Sequence, residues 1–302
     1  MRALFVGLST LDVIQQVDQV PGPDDKVAAL RLEIAAGGPA ANAAVAHAVL
    51  SNRLRTPGET TLITRIGHDL VGELALSDLQ KCGVRVQSYP LEDQLTPIAN
   101  IMVTKSTGQR AVVSATDGGR SRELAEDPKI TGLLAELQPA VVLADSYEVD
   151  LSIPLLRAAR AAGIPTIMDA GTKKPQTQHL LPHVSIAVVS ERYLHGEPDD
   201  SPEAVCTELL DAGVDWAIVT CGAGPIIYQG RQMVAPASHP VTAVPTVVDT
   251  LGAGDFFHGA LAHAVGGMGF NAVTAADCLT FAATVAGRSV QSFGSRAWLS
   301  DL

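Results

Sequence analysis

Apolar and polar residues switch between two rhythms along this chain. Short, nearly continuous apolar runs occur at Ala3–Leu8, Thr61–Ile66, Ala140–Ala144, Thr166–Asp169, Ile186–Val189, Trp216–Thr220 and Ala243–Val248. Each predicts a buried strand. Between and after them, helical spacing of apolar residues predicts helices over Ala40–Leu50, Val71–Lys81, Ile130–Leu137, Ile153–Ala162, Pro202–Ala212, Ala253–Val265 and Ala272–Val290. Strands alternating with helices imply an α/β fold, a parallel sheet covered on both faces. AAGIPTIMDA, Ala161 to Ala170, shows the unit in small: a helix end, a stop at Gly163, then Pro165 and an apolar strand running into Asp169.

Two segments break this rhythm. Lys26–Ala35, KVAALRLEIA, alternates like a strand, and Pro97–Ala115 reads as two strands joined by a Ser-Thr-Gly turn. They predict antiparallel pieces inserted in the α/β frame, either a small separate sheet or decoration of the main sheet's edge. No internal repeat or low-complexity linker is visible, and Arg53–Thr61 reads as a helix-to-strand loop.

The 302 residues carry 21 Lys and Arg against 32 Asp and Glu, a net charge of −11. An acidic chain lacks the basic stripe that nucleic acid requires, although a local pocket can still hold an anion. No apolar run has the roughly 18 residues of a membrane span, and Ala3–Leu8 is too short for a signal-peptide core. Four scattered cysteines form no disulfide framework and predict reduced core thiols in a cytoplasmic protein. His179 and His183 are four apart, but Pro182 breaks the helix that would align them as metal ligands.

The chemistry concentrates at VVDTLGAGDFFHGAL, Val247 to Leu261. Gly252, Ala253 and Gly254 let a ligand approach their backbone amides closely, and the apolar spacing after them starts a helix. Its first turn offers free N–H groups and partial positive charge, an anion site. Asp255 then stands beside the anion. It reads either as a helix cap or as a base that takes a proton from a hydroxyl attacking a phosphoryl group.

Taken with its length, DTLGAGDFFHGAL resembles the C-terminal signature of the ribokinase-like (PfkB) carbohydrate kinases. That family's pattern implies Asp255 as catalytic base and the amides of Gly252, Ala253 and Gly254 as the anion hole. AAGGPAANAAVA, Ala35 to Ala46, is similar to the family's other signature, which implies sugar contacts at Gly37, Gly38 and Asn42 and, just past the first strand, at Asp12. TCGAGPIIY, Thr220 to Tyr228, resembles the nucleotide turn and implies ATP contacts at Thr220, Gly222 and Gly224, with Ser190 and Gly254 beside them. The resemblance covers the whole chain. It implies one domain over 1–302, a three-layer sandwich around a mostly parallel sheet, with β-sheet lid segments at approximately 13–36 and 95–117, and a homodimer paired through the lids.

The chain departs from the pattern in places. Where the family has Asn-x-x-Glu, which organises Mg2+ and phosphate through water, this chain has Ser190-Glu191-Arg192-Tyr193, and Glu191 becomes the candidate carboxylate. Asp249, with backbone near Ala286, Ser289 and Gly294, resembles the family's K+ loop. GGPAANAAVA and GDFFHGAL look most like bacterial kinases of sulfofructose and ketohexoses. Lys26 lies where that subgroup uses a lysine for an anionic group, but Ser146 and Tyr147 occupy the place of its expected arginine. The resemblance therefore implies an ATP-dependent kinase of a ketohexose, pentose or similar sugar. Alternatives are a nucleoside kinase, a sulfofructose or ketohexose-phosphate kinase of the same fold, or a non-catalytic sensor. Purines favour aromatic stacking, and the lid segments contain no aromatic residue, which favours a sugar.

Overall fold

The computed structural model describes residues 1–56, 58–92, 94–116, 128–194 and 201–301. The strands are β1 Ala3–Val6, β2 Thr10–Val17, β3 Arg31–Gly37, β4 Thr60–Thr64, β5 Val84–Ser88, β6 Ile98–Thr104, β7 Arg110–Ser114, β8 Val141–Asp145, β9 Thr166–Ala170, β10 Ile186–Ser190, β11 Trp216–Thr220, β12 Ile226–Gly230 and β13 Ala237–His239. The helices are α1 Pro39–Arg53, α2 Leu70–Lys81, α3 Pro128–Leu137, α4 Val149–Ala161, α5 Thr177–Leu180, α6 Pro202–Asp211, α7 Ala253–Met268 and α8 Ala275–Ser289.

Nine strands form one sheet in the order β13-β12-β11-β10-β9-β8-β1-β4-β5. It is parallel from β5 to β11, and β12 and β13 add antiparallel at one edge. Alternation along β1 explains the three layers. Ala3 and Phe5 face a core built with α1, α2, α7 and α8, whereas Leu4 and Val6 face a second core with α3, α4 and α6. Both faces of β1 are buried, which is why its sequence is a continuous apolar run.

The remaining four strands form a separate sheet in the order β3-β2-β6-β7. Its register sorts residues between two faces. Asp12 lies opposite Ala35 and Ala99, on the same face as Ile14 and Ile101, which pack inward with Val103 and Phe293. Val13, opposite Ile34 and Asn100, belongs to the other face, where Leu32 and Ile34 are 61% and 54% exposed. Residue 117, at the far end of the second inserted segment, lies outside the described residues, as does Pro57 in the Arg53–Thr61 loop.

Several boundaries differ from the sequence expectation. Ala243–Val248 forms no strand: Pro245 lacks an N–H, and most of the segment is exposed with no ladder partner. The strand expected from Lys26 begins only at Arg31, because β2 pairs no further than Gln16 with Arg31. The helix expected from Ile153 starts at Val149 and accommodates Pro154 near its N-terminal end. Strands β2, β5, β12 and β13 were not read as strands; β5, β12 and β13 are short, partly exposed and lie toward the sheet edges, whereas β2 is interior but interrupts its apolar pattern with Asp12, Gln15 and Gln16.

Candidate active site

The carboxyl ends of the parallel strands carry the polar residues, as expected of open α/β sheets. On one side, β1 leads into β2 and Asp12, and β3 leads through Gly37 and Gly38 into α1. Glycine is required at both positions: a Cβ on Gly37 would collide with the Asp12 carboxylate, and Gly38 has φ +96° with the Leu8 carbonyl where its Cβ would be. The turn thus sets Gly37, just before α1, against the Asp12 carboxylate. Asp12 accepts a 2.5 Å hydrogen bond from the Thr10 hydroxyl. Burial pushes its carboxyl up to about 6, against the lowering effects of that bond and of Arg296.

Asp255 is half-buried in the first turn of α7, just after Gly252 with φ +71°. Asn42 Nδ2 donates to its Oδ2 at 2.8 Å. Close packing of α1 on α7 makes this bond possible. One turn beyond Asp255, a Cβ on Gly259 would strike the Ala43 carbonyl, so only glycine lets the two helices approach this closely. Burial and the charge of Asp169 push the Asp255 carboxyl up to about 7, while the Asn42 bond, His258 and Arg110 pull it down.

Beneath Asp255 lies a polar cluster that motif reading missed. Asp145, the last residue of β8, and Asp169, next to the last of β9, stand side by side in the register. Asp145 accepts from Leu8 N at 2.8 Å, Ala40 N at 3.2 Å and Tyr147 N at 2.9 Å, tying the end of β1 to the first turn of α1. Burial, then the Asp145 charge, pushes Asp169 up to about 8, against the Lys174 ammonium. His258 Nδ1 lies 2.6 Å from the Gly254 carbonyl and 3.3 Å from Asp169. The Lys174 ammonium sits 3.2 Å from the Tyr147 ring centroid and donates to Ser146 at 3.3 Å. The available signal was two apolar strands, VVLAD and TIMDA, that each meet an aspartate at or next to their last residue.

Further along the sheet, Ser190 and Thr220 are register partners at the ends of β10 and β11. Gly222 has φ +59°, and Gly224 N donates to the Cys221 carbonyl at 2.8 Å, closing a tight turn into β12. Glu191 is exposed and its Oε1 points toward Gly222, 4.0 Å from where a Cβ would stand. Tyr193, at the place of the family's glutamate, is buried in the core. Ser190, Glu191, Thr220 and Gly222 thus meet at one sheet end. Among the described residues no group of three or more His, Cys, Asp and Glu side chains gathers as metal ligands.

Asp249 is buried just before the Gly252 turn. Its carboxylate accepts from Leu251 N at 2.8 Å and Gly294 N at 3.0 Å, and burial pushes it up. Ser289 donates to the Ala286 carbonyl at 2.8 Å, and Val290, the next residue, accepts from Val248 N at 2.7 Å, so the end of α8 closes on the Asp249 loop. Lys26 is exposed in the stretch before β3.

Fold and site together define a class: an α/β protein with a separate small sheet and a carboxylate in the first turn of a helix that follows a left-handed glycine. The pattern of the pfkB family carbohydrate kinases matches residues 2–301, and the chain belongs to that family. It is a carbohydrate kinase, a phosphotransferase with an alcohol acceptor. Ribokinase from Arabidopsis thaliana is 27% identical over 312 residues, covering 99% of this chain and 78% of the relative. Deoxyribokinase from Salmonella typhi is 27% identical, covering 97% and 95%. The structure of the Arabidopsis ribokinase complexed with ribose and ATP matches with a TM-score of 0.75 at 25% identity, covering 99% and 97%. The Giardia lamblia ribokinase shares the fold, with a TM-score of 0.81 at 16% identity, covering 99% and 98%.

Proposed function

We propose that this kinase transfers the γ-phosphoryl group of ATP to a primary hydroxyl of a small neutral sugar, a ketohexose or pentose, with Asp255 as general base. The observation that carries the reading is Asp255 itself. Its carboxylate stands at a helix start lined by small residues, is fixed by Asn42 at 2.8 Å, and is pushed up to about 7. That value suits a base working near neutral pH. Relatives that act on pentoses, and one structure holding ribose and ATP, support the substrate class.

In this mechanism Asp12, Gly37, Gly38 and Asn42 hold the sugar hydroxyls so that the primary one faces Asp255. As the hydroxyl oxygen bonds to the γ-phosphorus, Asp255 takes its proton and the bond to the bridging oxygen breaks, releasing ADP. The amides of Gly252, Ala253 and Gly254 stabilise charge on the transferred group. Ser190, Thr220, Gly222 and Gly224 hold the nucleotide. An exposed Glu191 beside the nucleotide turn fits a Mg2+ reached through water, and that ion would neutralise phosphate charge. Asp249, with backbone of Ala286, Ser289 and Gly294, is the candidate K+ loop; the buried carboxylate fits a cation, although both its bonds now go to amides.

The small sheet acts as the lid over the sugar. Its outer face exposes Leu32, Ile34 and Val113, at 61%, 54% and 68%. A second copy of this chain covers that face in a homodimer, since a thin sheet cannot bury it alone.

An assay of ADP release against ribose, deoxyribose, fructose and nucleosides tests the reading. Sugar-dependent ADP release with a phosphorylated sugar as product is expected. Turnover on nucleosides alone would establish a nucleoside kinase. No turnover on any acceptor would favour a non-catalytic sensor, the reading motivated by Ser190 and the buried Tyr193.

A further inference from the structure

Arg296 lies in the C-terminal segment, outside the motifs. Its guanidinium makes five hydrogen bonds. Nε and Nη2 donate to Asp78 of α2 at 3.0 and 2.8 Å, and Nη2 donates to the Ala36 carbonyl at 2.6 Å. Nη1 donates to its neighbour's carbonyl on Ser295 at 3.1 Å and to Asn42 Oδ1 at 3.4 Å. Asp78 Oδ2 also accepts from Ala36 N at 2.9 Å. One cation therefore grips the residue preceding the Gly37-Gly38 turn and the side chain of Asn42 together.

The chemistry of the groups gives this arrangement a direction. A guanidinium only donates, and a carboxamide has one accepting and one donating end. With Arg296 facing it, Asn42 must turn its oxygen to Arg296 and its Nδ2 to Asp255. The flipped amide would place Oδ1 against the carboxylate, oxygen to oxygen. Asp255 is faced in addition by Asp169 of β9, by Tyr147 just after β8, by His258 of its own helix and by Arg110 of β7, none of which is hydrogen-bonded to the Asn42 amide.

We infer that Arg296 is a positioning residue of the acceptor site, which together with Asp255 at the other end holds the Asn42 amide in one orientation and holds the Gly37-Gly38 turn in place for the sugar. The inference rests on the kinase reading above and deepens it. Arg296 touches neither nucleotide residues nor the anion hole, so its effect falls on the acceptor side.

The test uses the full chain with a sugar that the wild type phosphorylates. Arg296→Met raises the sugar KM about 10-fold or more and leaves the ATP KM within about 2-fold. It also moves the acid limb of kcat/KM upward, in the same direction as Asn42→Ala; Asp12, whose carboxyl Arg296 itself holds down, contributes a part that persists in the Asn42→Ala background, and only the part lost there reports on the amide. Combined with Asn42→Ala, it adds less than its separate effect, because the amide it orients is gone. Arg296→Lys, which keeps the charge but cannot reach Asp78, Ala36 and Asn42 at once, shows the same pattern to a lesser degree and replaces Arg296→Met if the latter does not fold. A folded variant with unchanged sugar KM and acid limb overturns the inference, as do sugar and ATP KM rising together or full additivity with Asn42→Ala. A wild type without sugar turnover defeats the kinase reading instead, a distinct result.

Discussion

Replacing Asn42 by alanine removes the hydrogen bond that Nδ2 gives to Asp255 Oδ2 at 2.8 Å. A hydrogen bond to a charged group contributes about 1.5–3 kcal/mol. One pKa unit corresponds to roughly 1.36 kcal/mol, so the loss raises Asp255 by about 1–2 units above its value of about 7. A base works only when ionised, so activity falls as pH drops through the pKa. Raising that pKa moves the acid limb of kcat/KM for the sugar upward. At pH 7.5 the ionised fraction drops by roughly 3- to 25-fold, as follows from those two magnitudes. A second loss, that of an Asn42 contact to the sugar, is independent of pH and lowers the whole profile. The profile of kcat/KM between pH 5.5 and 9.5 separates the two: the first recovers at high pH and the second does not. A uniform drop with an unmoved limb would refute the claim that Asn42 controls the ionisation of Asp255.

Three further outcomes follow from the site. Glu191→Gln raises the Mg2+ concentration for half-maximal rate several-fold while Tyr193→Phe changes it less, read by titrating Mg2+ at fixed ATP; unchanged values in both would remove Glu191 from the metal site. If the small sheet is the lid and pairs in a homodimer, as proposed, Leu32→Asp on its exposed face dissociates that dimer in sedimentation and raises the sugar KM, since a lid would keep water from the phosphoryl group; a monomeric wild type would refute the pairing. Exchanging K+ for Na+ lowers the rate several-fold if the Asp249 loop holds K+, and Asp249→Asn abolishes the difference between the salts; equal rates of the wild type in both salts would refute the assignment.

Much of the frame was legible because the strands at its centre are buried on both faces. Ala3–Val6 and Val141–Asp145 read as continuous apolar runs for that reason. Edge strands such as Val84–Ser88 are half-exposed and carry a weaker pattern. In the opposite direction, Ala243–Val248 has the composition of a strand, but composition does not show that a partner is missing. The turns at Gly37, Gly38 and Gly252 were legible as well, since these positions answer to close approach and backbone angles that only glycine meets. The Asp145–Asp169–Lys174 cluster and the reach of Arg296 to Asn42, 254 residues away in sequence, arise from tertiary packing and leave no periodic trace. Asp169 showed only as the polar residue closing an otherwise apolar strand expected over Thr166–Asp169.

The central claim is that Asp255 is the base. Asp255→Asn preserves shape and removes the proton acceptor. The most direct measurement is kcat of this variant with a sugar that the wild type phosphorylates, alongside its ATP affinity by direct binding. The account predicts that kcat falls by roughly 10²–10⁴, the usual contribution of a positioned general base, while ATP affinity stays within about 2-fold. Near-wild-type turnover by Asp255→Asn would contradict it.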